Sequence, residues 1–336
     1  MNKKLVNVSV IIPTYNEQNY IDNTIDSLLN NNYPQKLVEI IIVDGGSSDN
    51  TINIVKDKIK NNNNVKIYNN PKKIQSSGLN LGIKKSNGDI IIRADAHALY
   101  EQDYIEKSVD LLVNSNYQNV GPFQKSIGES LVSNSIAIAM SSFIGMGNAK
   151  YRLSDNYIEK VKSVWLGAWW KKTLIEIQGF DESLAISEDF DLNYRLRKEG
   201  GEVVASNSIK ASYIVRKSVF QLFNQFFKYG LWKSKFLLSY PNEIQIRWCI
   251  PPLFVLSTFL CLALSYVSLY YFLFFAIYFI FLFAGIIHIT KIKNVLNVIK
   301  SLILFIIFPT IHFSWGLGFI AGCIYWNITK MIKKSK

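Results

Sequence analysis

No charged residue stands between Arg247 and Lys291, a run of 43 residues. As helix such a run rises roughly 65 Å at about 1.5 Å per residue. One bilayer crossing takes about 20 apolar residues, so the run fits two spans, placed near Cys249 to Ser268 and Tyr271 to Ile289, better than one. A second uncharged run, Ser301 to Thr329, follows Lys300. Three full spans would leave the basic tail Lys330 to Lys336 on the side opposite Lys291, against the positive-inside tendency. Pro309, Gly316, Gly318 and Gly322 interrupt the second run. The expected membrane part, 248–336, is therefore two spans plus a re-entrant or interfacial segment.

Charge supports this reading. The net charge is +12, and much of the excess flanks the apolar runs: Lys210, Arg216, Lys217, Lys228, Lys233, Lys235 and Arg247, then Lys291, Lys293 and Lys300. Cationic flanks mark the cytoplasmic side and the anionic leaflet. A nucleic-acid partner needs a recognisable binding module beside the basic patch, and none is present, so no nucleic acid is expected. Near Met1 only Leu5 to Ile12 is apolar, and Pro13, Asn16 and Glu17 end it without a small-residue cleavage site. No signal peptide is expected, and the residues ahead of the apolar runs are expected to be cytoplasmic. Cys249, Cys261 and Cys323 lie in apolar segments without metal-ligand or disulfide spacing.

The first two thirds of the chain have another rhythm. Val6–Ile12, Val38–Val43, Val65–Tyr68 and Asp89–Arg93 read as strands, and Tyr20–Leu29, Thr51–Ile59 and Ser76–Lys84 as helices between them. This alternation indicates an α/β domain, 1–218, with a mostly parallel sheet flanked by helices. Ligands of such sheets bind beyond the carboxyl ends of the strands. Thr14 to Glu17, Asp44 to Asp49 and Asp95 to His97 all fall there. From Val219 onward, Val219, Phe220, Phe223, Phe226 and Phe227 recur at helical spacing, so 219–247 is expected to be amphipathic and interfacial.

Four elements carry chemistry. Ser9 to Glu17 and Ile41 to Thr51 are strands running into polar loops, and the second lacks the dinucleotide G-x-G-x-x-G. Gly88 to His97 ends a strand with two potential metal ligands, Asp95 and His97. Ser187 to Arg197 opens a helix with Glu188, Asp189 and Asp191. Each has a bland counterpart: a turn and helix cap for Asp44, exposed loop residues for Asp95 and His97, and charge complementing the helix dipole for Glu188 to Asp191.

Taken in order, over about residues 7 to 235 and with the apolar tail behind them, the four resemble the family 2 glycosyltransferases of the GT-A fold. The likeness is greatest to bacterial membrane-associated enzymes of succinoglycan assembly. Asp95-Ala96-His97, Tyr229-Gly230 and the stretch His312 to Gly318 share in it. The resemblance implies a nucleotide-sugar site on Pro13, Thr14, Tyr15, Glu17, Asp44 and Asp95. It implies a divalent metal on Asp95 and His97, a catalytic base in Asp189, and an acceptor side with Trp165, Trp169 and Glu188. Most relatives carry a second Asp where His97 stands. Imidazole suits manganese better than magnesium, which prefers hard oxygen ligands, so Mn2+ is expected over Mg2+.

The expected activity is inverting transfer of a sugar from a nucleoside diphosphate to a hydroxyl of a polyprenyl-diphosphate-linked saccharide, in extracellular polysaccharide assembly at the cell membrane. Alternatives are a polyprenyl-phosphate sugar transferase, whose acceptor needs no general base, and a catalytically silent membrane scaffold. A processive synthase is disfavoured, because its Gln-x-x-Arg-Trp motif is absent.

Overall fold

A computed structural model describes residues 5–153, 157–291 and 294–334. Lys293 and Lys336 lie outside the described residues. From the N-terminus, β1 (Val8–Thr14), α1 (Ile21–Leu29), β2 (Val38–Asp44), α2 (Thr51–Asn61), β3 (Val65–Asn69), α3 (Gln75–Lys85) and β4 (Ile90–Arg93) alternate. Next come β5 (Ala98–Tyr100), α4 (Tyr104–Val113), β6 (Asn119–Pro122) and β7 (Lys125–Ile127), then α5 (Leu131–Met140), α6 (Phe143–Met146) and α7 (Lys150–Leu153). β8 (Ile158–Lys160), β9 (Ala168–Trp170), α8 (Lys171–Glu176), α9 (Glu188–Lys198), β10 (Val203–Ser206) and β11 (Ala211–Ile214) follow. The remainder is helical: α10 (Val219–Ser239), α11 (Ile246–Leu264), α12 (Leu273–Thr290) and α13 (Val295–Lys334).

The chain packs as two compact units. One comprises Met1–Lys125 with Lys150–Ile214, the other Ser126–Ala149 with Val215–Lys336. The sequence reading divides the chain at 218 and 247. By packing, Ser126–Ala149, an internal stretch of the α/β region, groups with the C-terminal helices.

In the first unit an eight-stranded sheet runs β3-β2-β1-β4-β9-β6-β10-β8. β1 pairs in parallel with β2 and β4, and β2 with β3, whereas β9 is antiparallel to both β4 and β6. The period-2 geometry of strands sends alternate residues to opposite faces. Val8, Val10, Ile12, Ile40, Ile42, Ile90 and Ile92 enter one core cluster. Ile11, Ile41, Val43 and Ile91 enter another with Leu79, Leu174 and Leu192. Burial on both faces is why these strands read as continuous apolar runs. β1 lies between β2 and β4, and the register aligns Thr14 with Asp44, Asp44 with Asn69, and Ile11 with Arg93. The carboxyl ends of three adjacent strands thus open onto one edge, where the strand order reverses.

In the second unit α11, α12 and α13 are each long and apolar enough to cross a membrane. Their outward faces carry Leu256, Phe259, Ile277, Ile280, Leu302 and Ile306, all exposed. α13 is one helix of 40 residues with Pro309 inside it, where the sequence reading expects a re-entrant or interfacial segment. The glycines of that stretch serve close packing instead. A Cβ on Gly318 would meet the Phe227 carbonyl of α10, and one on Gly230 would meet the Trp315 carbonyl of α13. α10 begins at a Ser218 cap, whose Oγ accepts from the Gln221 N–H at 3.2 Å.

Candidate active site

The end of β1 and the end of β2 are stitched into one rim. Asp44 is buried, and its Oδ2 accepts from the N–H groups of Gly46 and Ser47 at 2.8 and 2.9 Å. Its Oδ1 takes the Ser47 hydroxyl at 2.5 Å. The turn after β2 therefore forms on the Asp44 carboxylate, and Gly46 takes the positive φ of 81° that such a turn needs. Asn16 N–H donates to Ser47 Oγ at 2.8 Å, and Glu17 N–H to Thr51 Oγ1 at 2.8 Å. Pro13 and Thr14 end β1, and Tyr15 stands exposed beyond them.

A second cluster forms at the end of β4. Arg93 Nη1 donates to Glu188 Oε1 at 2.9 Å, and its Nη2 and Nε to Asp95 Oδ1 at 3.2 and 3.3 Å. Trp165 Nε1 donates to Asp95 Oδ2 at 2.8 Å. The Asp95 backbone N–H is held by the Tyr100 hydroxyl at 2.7 Å. All three charged groups are buried. Burial raises a carboxyl pKa, but beside Asp95 the Arg93 charge and the Trp165 donor outweigh it, and Asp95 stays below the ordinary value. Glu188 goes the other way. Its burial is the larger effect, the Asp189 charge adds to it, Arg93 opposes, and the result is about 7.

His97 bridges the two clusters. Its Nδ1 lies 2.9 Å from Glu17 Oε1. Its ring meets Tyr213 edge-on at 5.5 Å, and Tyr213 meets Trp165 at 5.7 Å. Asp189, half-buried in the first turn of α9, accepts from the Ser163 hydroxyl at 3.4 Å and from Phe190 N–H at 2.8 Å. Ser187 precedes it in the left-handed region with φ 73°, which turns the chain into the helix. Asp191, by contrast, is taken up by Arg195 at 2.8 Å and is structural.

The sequence-predicted residues thus come together at the carboxyl edge of the sheet, with one exception. Trp169, expected on the acceptor side, is 3% exposed and packs edge-on against Phe180 at 6.0 Å. Pairing of β9 with β4 turns its ring into the core, so it offers no face to a sugar. Glu188, also expected on the acceptor side, is a buried partner of Arg93 instead. Arg93, Tyr100 and Tyr213 were not anticipated. The visible signal for Arg93 was a charge closing the apolar run Ile90 to Ile92.

Comparison with known proteins decides the family. The model of glycosyl transferase family 2 matches residues 9–165. A dolichyl N-acetyl-alpha-D-glucosaminyl phosphate 3-beta-D-2,3-diacetamido-2,3-dideoxy-beta-D-glucuronosyltransferase of Methanococcus voltae is 31% identical over 252 residues, covering 73% of this chain and 77% of that one. The chain belongs to the family 2 glycosyltransferases. The succinoglycan biosynthesis protein ExoA of Rhizobium meliloti, another similar protein, is 29% identical over 72% of this chain and 73% of its own. Among solved structures, a mannosyltransferase of Pyrobaculum calidifontis in complex with GDP-Man and Mn2+ superposes with a TM-score of 0.63 at 15% identity, over 93% of this chain and 88% of that one. That likeness establishes the shared GT-A fold. In this glycosyltransferase the four motifs read from the sequence mark the rim and the buried cluster just described.

Proposed function

We propose that this glycosyltransferase moves a sugar from a nucleoside-diphosphate donor to a hydroxyl of a lipid-linked saccharide, with inversion, at the cytoplasmic face of the cell membrane, in polysaccharide assembly. One observation carries the reading. Arg93 joins Asp95, at the end of β4, to Glu188, so one guanidinium ties the donor-side carboxylate to the residue that precedes Asp189 in the first turn of α9.

The rim of Pro13, Thr14, Tyr15, Glu17 and Asp44 would take the nucleoside, with Asp44 shaping the loop. Lys73 Nζ lies 3.7 Å from where a Gly46 side chain would begin, a cation at the same rim. Among the described residues no three His, Cys, Asp or Glu side chains converge as a complete metal site. A divalent ion would therefore draw most of its ligands from the diphosphate and water. The donor set fits that role. Asp95 Oδ1 takes two Arg93 donors, whereas Oδ2 accepts from Trp165 and keeps lone-pair capacity for an ion. With Nδ1–H given to Glu17, His97 presents Nε2 as a ligand, and a carboxylate behind a ligating histidine fixes its tautomer. Such an ion, when bound, would stabilise the charge on the departing diphosphate. The Pyrobaculum mannosyltransferase was solved with Mn2+, and a His97 ligand favours Mn2+ over Mg2+.

On the acceptor side, Asp189 takes the proton of the attacking hydroxyl as the new bond forms, and the Trp165 indole, half-buried beside Asp95, borders the reacting sugar. A single displacement inverts the anomeric centre. The name of the Methanococcus relative places its acceptor sugar on a dolichyl phosphate. The three membrane-length helices here suit an acceptor of that kind.

The test is Asp189→Asn, assayed with a panel of nucleotide-sugars, Mn2+ or Mg2+, and lipid-linked acceptors, followed by linkage analysis. Transfer should fall by about 10²–10⁴-fold, the usual contribution of a general base, while donor binding by calorimetry persists. Near-normal turnover would instead favour a phosphate acceptor and remove Asp189 from the base role.

A further inference from the structure

Between Glu129 and Lys150 the chain carries no charge, and it folds as α5 and α6 against α13. The tip is α6. The Ile144 side chain abuts Gly285 of α12, and Gly145 lies against Phe308 of α13. The Ile144 carbonyl meets His312 Nε2 at 2.8 Å. A carbonyl only accepts, so Nε2 carries the proton and Nδ1 takes the Tyr278 hydroxyl at 3.0 Å. His312 thereby joins α6, α12 and α13 through both ring nitrogens.

The hydroxyls of Ser130, Ser133, Ser135 and Ser142 bond back to the segment itself. Ser135 donates to the Leu131 carbonyl at 2.9 Å, and Ser142 to Ala139 at 2.8 Å. Ser130 and Ser133 cap α5 reciprocally. Hydrocarbon demands such internal satisfaction and water does not. Charge appears only at the two ends. Glu129 pairs with Lys217 at 3.4 Å. Gly147 packs beside Arg247, the last charge before α11. The depth of the tip follows from His312, whose ring lies 6.3 Å from Phe254, about two turns into α11. At that tip Phe143 is 67% exposed.

We propose that Ser130–Met146 is a hairpin inserted from one side into the lipid leaflet in which α11 begins, with Phe143 seated among the acyl chains. The occupant of this surface is the hydrocarbon of the bilayer. The same unit continues the apolar surface through the exposed faces of α11 to α13, and the charged ends set the headgroup level. Exposed Asn134 and Ser141 fit an element lying at that level. The hairpin is one-sided and enters from within the α/β region of the chain. It is therefore a membrane contact separate from the three long helices, and it does not depend on the donor or acceptor assigned above.

The test uses the full chain in vesicles of phosphatidylethanolamine and phosphatidylglycerol. Phe143→Cys, in a background of Cys249→Ser, Cys261→Ser and Cys323→Ser, is labelled with an environment-sensitive fluorophore. Leu256→Cys on α11 and Asp57→Cys on α2 serve as references. The label at 143 should emit blue-shifted and be quenched by brominated acyl chains as the label at 256 is, while the label at 57 is quenched by aqueous iodide. A water-like label at 143 beside a lipid-like one at 256 overturns the proposal. Water-like labels at both positions overturn it together with the membrane reading of α11. Should the cysteine-free background not fold, wild-type protein is irradiated in vesicles carrying a diazirine-acyl phospholipid. Adducts on the peptide holding Phe143 support the insertion, and adducts confined to α11 and α12 overturn it.

Discussion

Arg93 Nη1 and Glu188 Oε1 meet at 2.9 Å although 95 positions separate them. The same guanidinium binds Asp95, so one buried cation serves two buried carboxylates. Removing one partner of a buried ion pair leaves an uncompensated charge and costs about 3–5 kcal/mol. Arg93→Met should therefore lower the thermal midpoint in detergent sharply. Arg93→Lys, which keeps the charge but lacks the fork that reaches both carboxylates, should fall between it and wild type. Equal midpoints for all three proteins would contradict a shared pairing role.

Glu188 supplies a pH dependence with a definite sign. Burial raises its pKa from 4.5 in the unfolded chain to about 7 in the folded one. Between those values the folded state holds the extra proton, so stability falls as pH rises from about 4.5 through about 7. The opposing contribution of Asp95, whose folded pKa is lowered, is lost as pH falls through the acid range below its ordinary value. Glu188→Gln cannot titrate. The variant should lack the loss of stability seen in wild type across the upper window, measured as thermal midpoint against pH. A variant that follows the wild-type profile throughout would assign the dependence to another group.

Trp165 offers a narrower change. Trp165→Phe keeps an aromatic ring near Tyr213 but removes the donor 2.8 Å from Asp95 Oδ2. A hydrogen bond to a charged group contributes about 1.5–3 kcal/mol. The variant should bind nucleotide-sugar and metal about tenfold or more weakly, in keeping with that energy. Its unfolding midpoint should move less than that of Arg93→Met. Unchanged donor affinity by calorimetry would show that the indole does not position Asp95.

The sheet was legible because its strands are buried on both faces. Val8 to Ile12, Val38 to Val43 and Ile90 to Ile92 read as unbroken apolar runs, and the polar residues ending them fall at the ligand edge. Pairings across the fold were not legible. The charge of Arg93 was visible at the end of β4, but its partner Glu188 lies on α9 and only tertiary packing joins them. Trp165 and Trp169 looked equivalent in the sequence. The antiparallel pairing of β9 then turned Trp169 into the core against Phe180 and left Trp165 at Asp95. The stretch after Glu129 is not legible as a membrane element because its apolar helix, Leu131–Met140, is too short to be read as a span.

Gly318 shows how glycines fit within an unbroken third apolar helix, and it supports a last prediction. Glycine and proline weaken a helix in water, so Pro309, Gly316, Gly318 and Gly322 suggested a break. In apolar surroundings small residues instead let helix backbones approach closely. A Cβ on Gly318 would meet the Phe227 carbonyl, and one on Gly322 would meet Leu231 and Ser234, both on α10. α10 therefore lies directly against the glycine face of α13. Gly318→Leu must push the two helices apart, and overpacking of this kind typically costs about 1–3 kcal/mol. Gly200→Leu is the control for glycine loss in general, because nothing lies within 4 Å of its Cβ position, although its φ of 83° adds strain of its own. Gly318→Leu should lower the midpoint of the helical unit, read by protease protection of α10 in detergent, whereas Gly200→Leu should leave that protection intact. Full protection of α10 in Gly318→Leu would show that the close approach does not hold the two helices together.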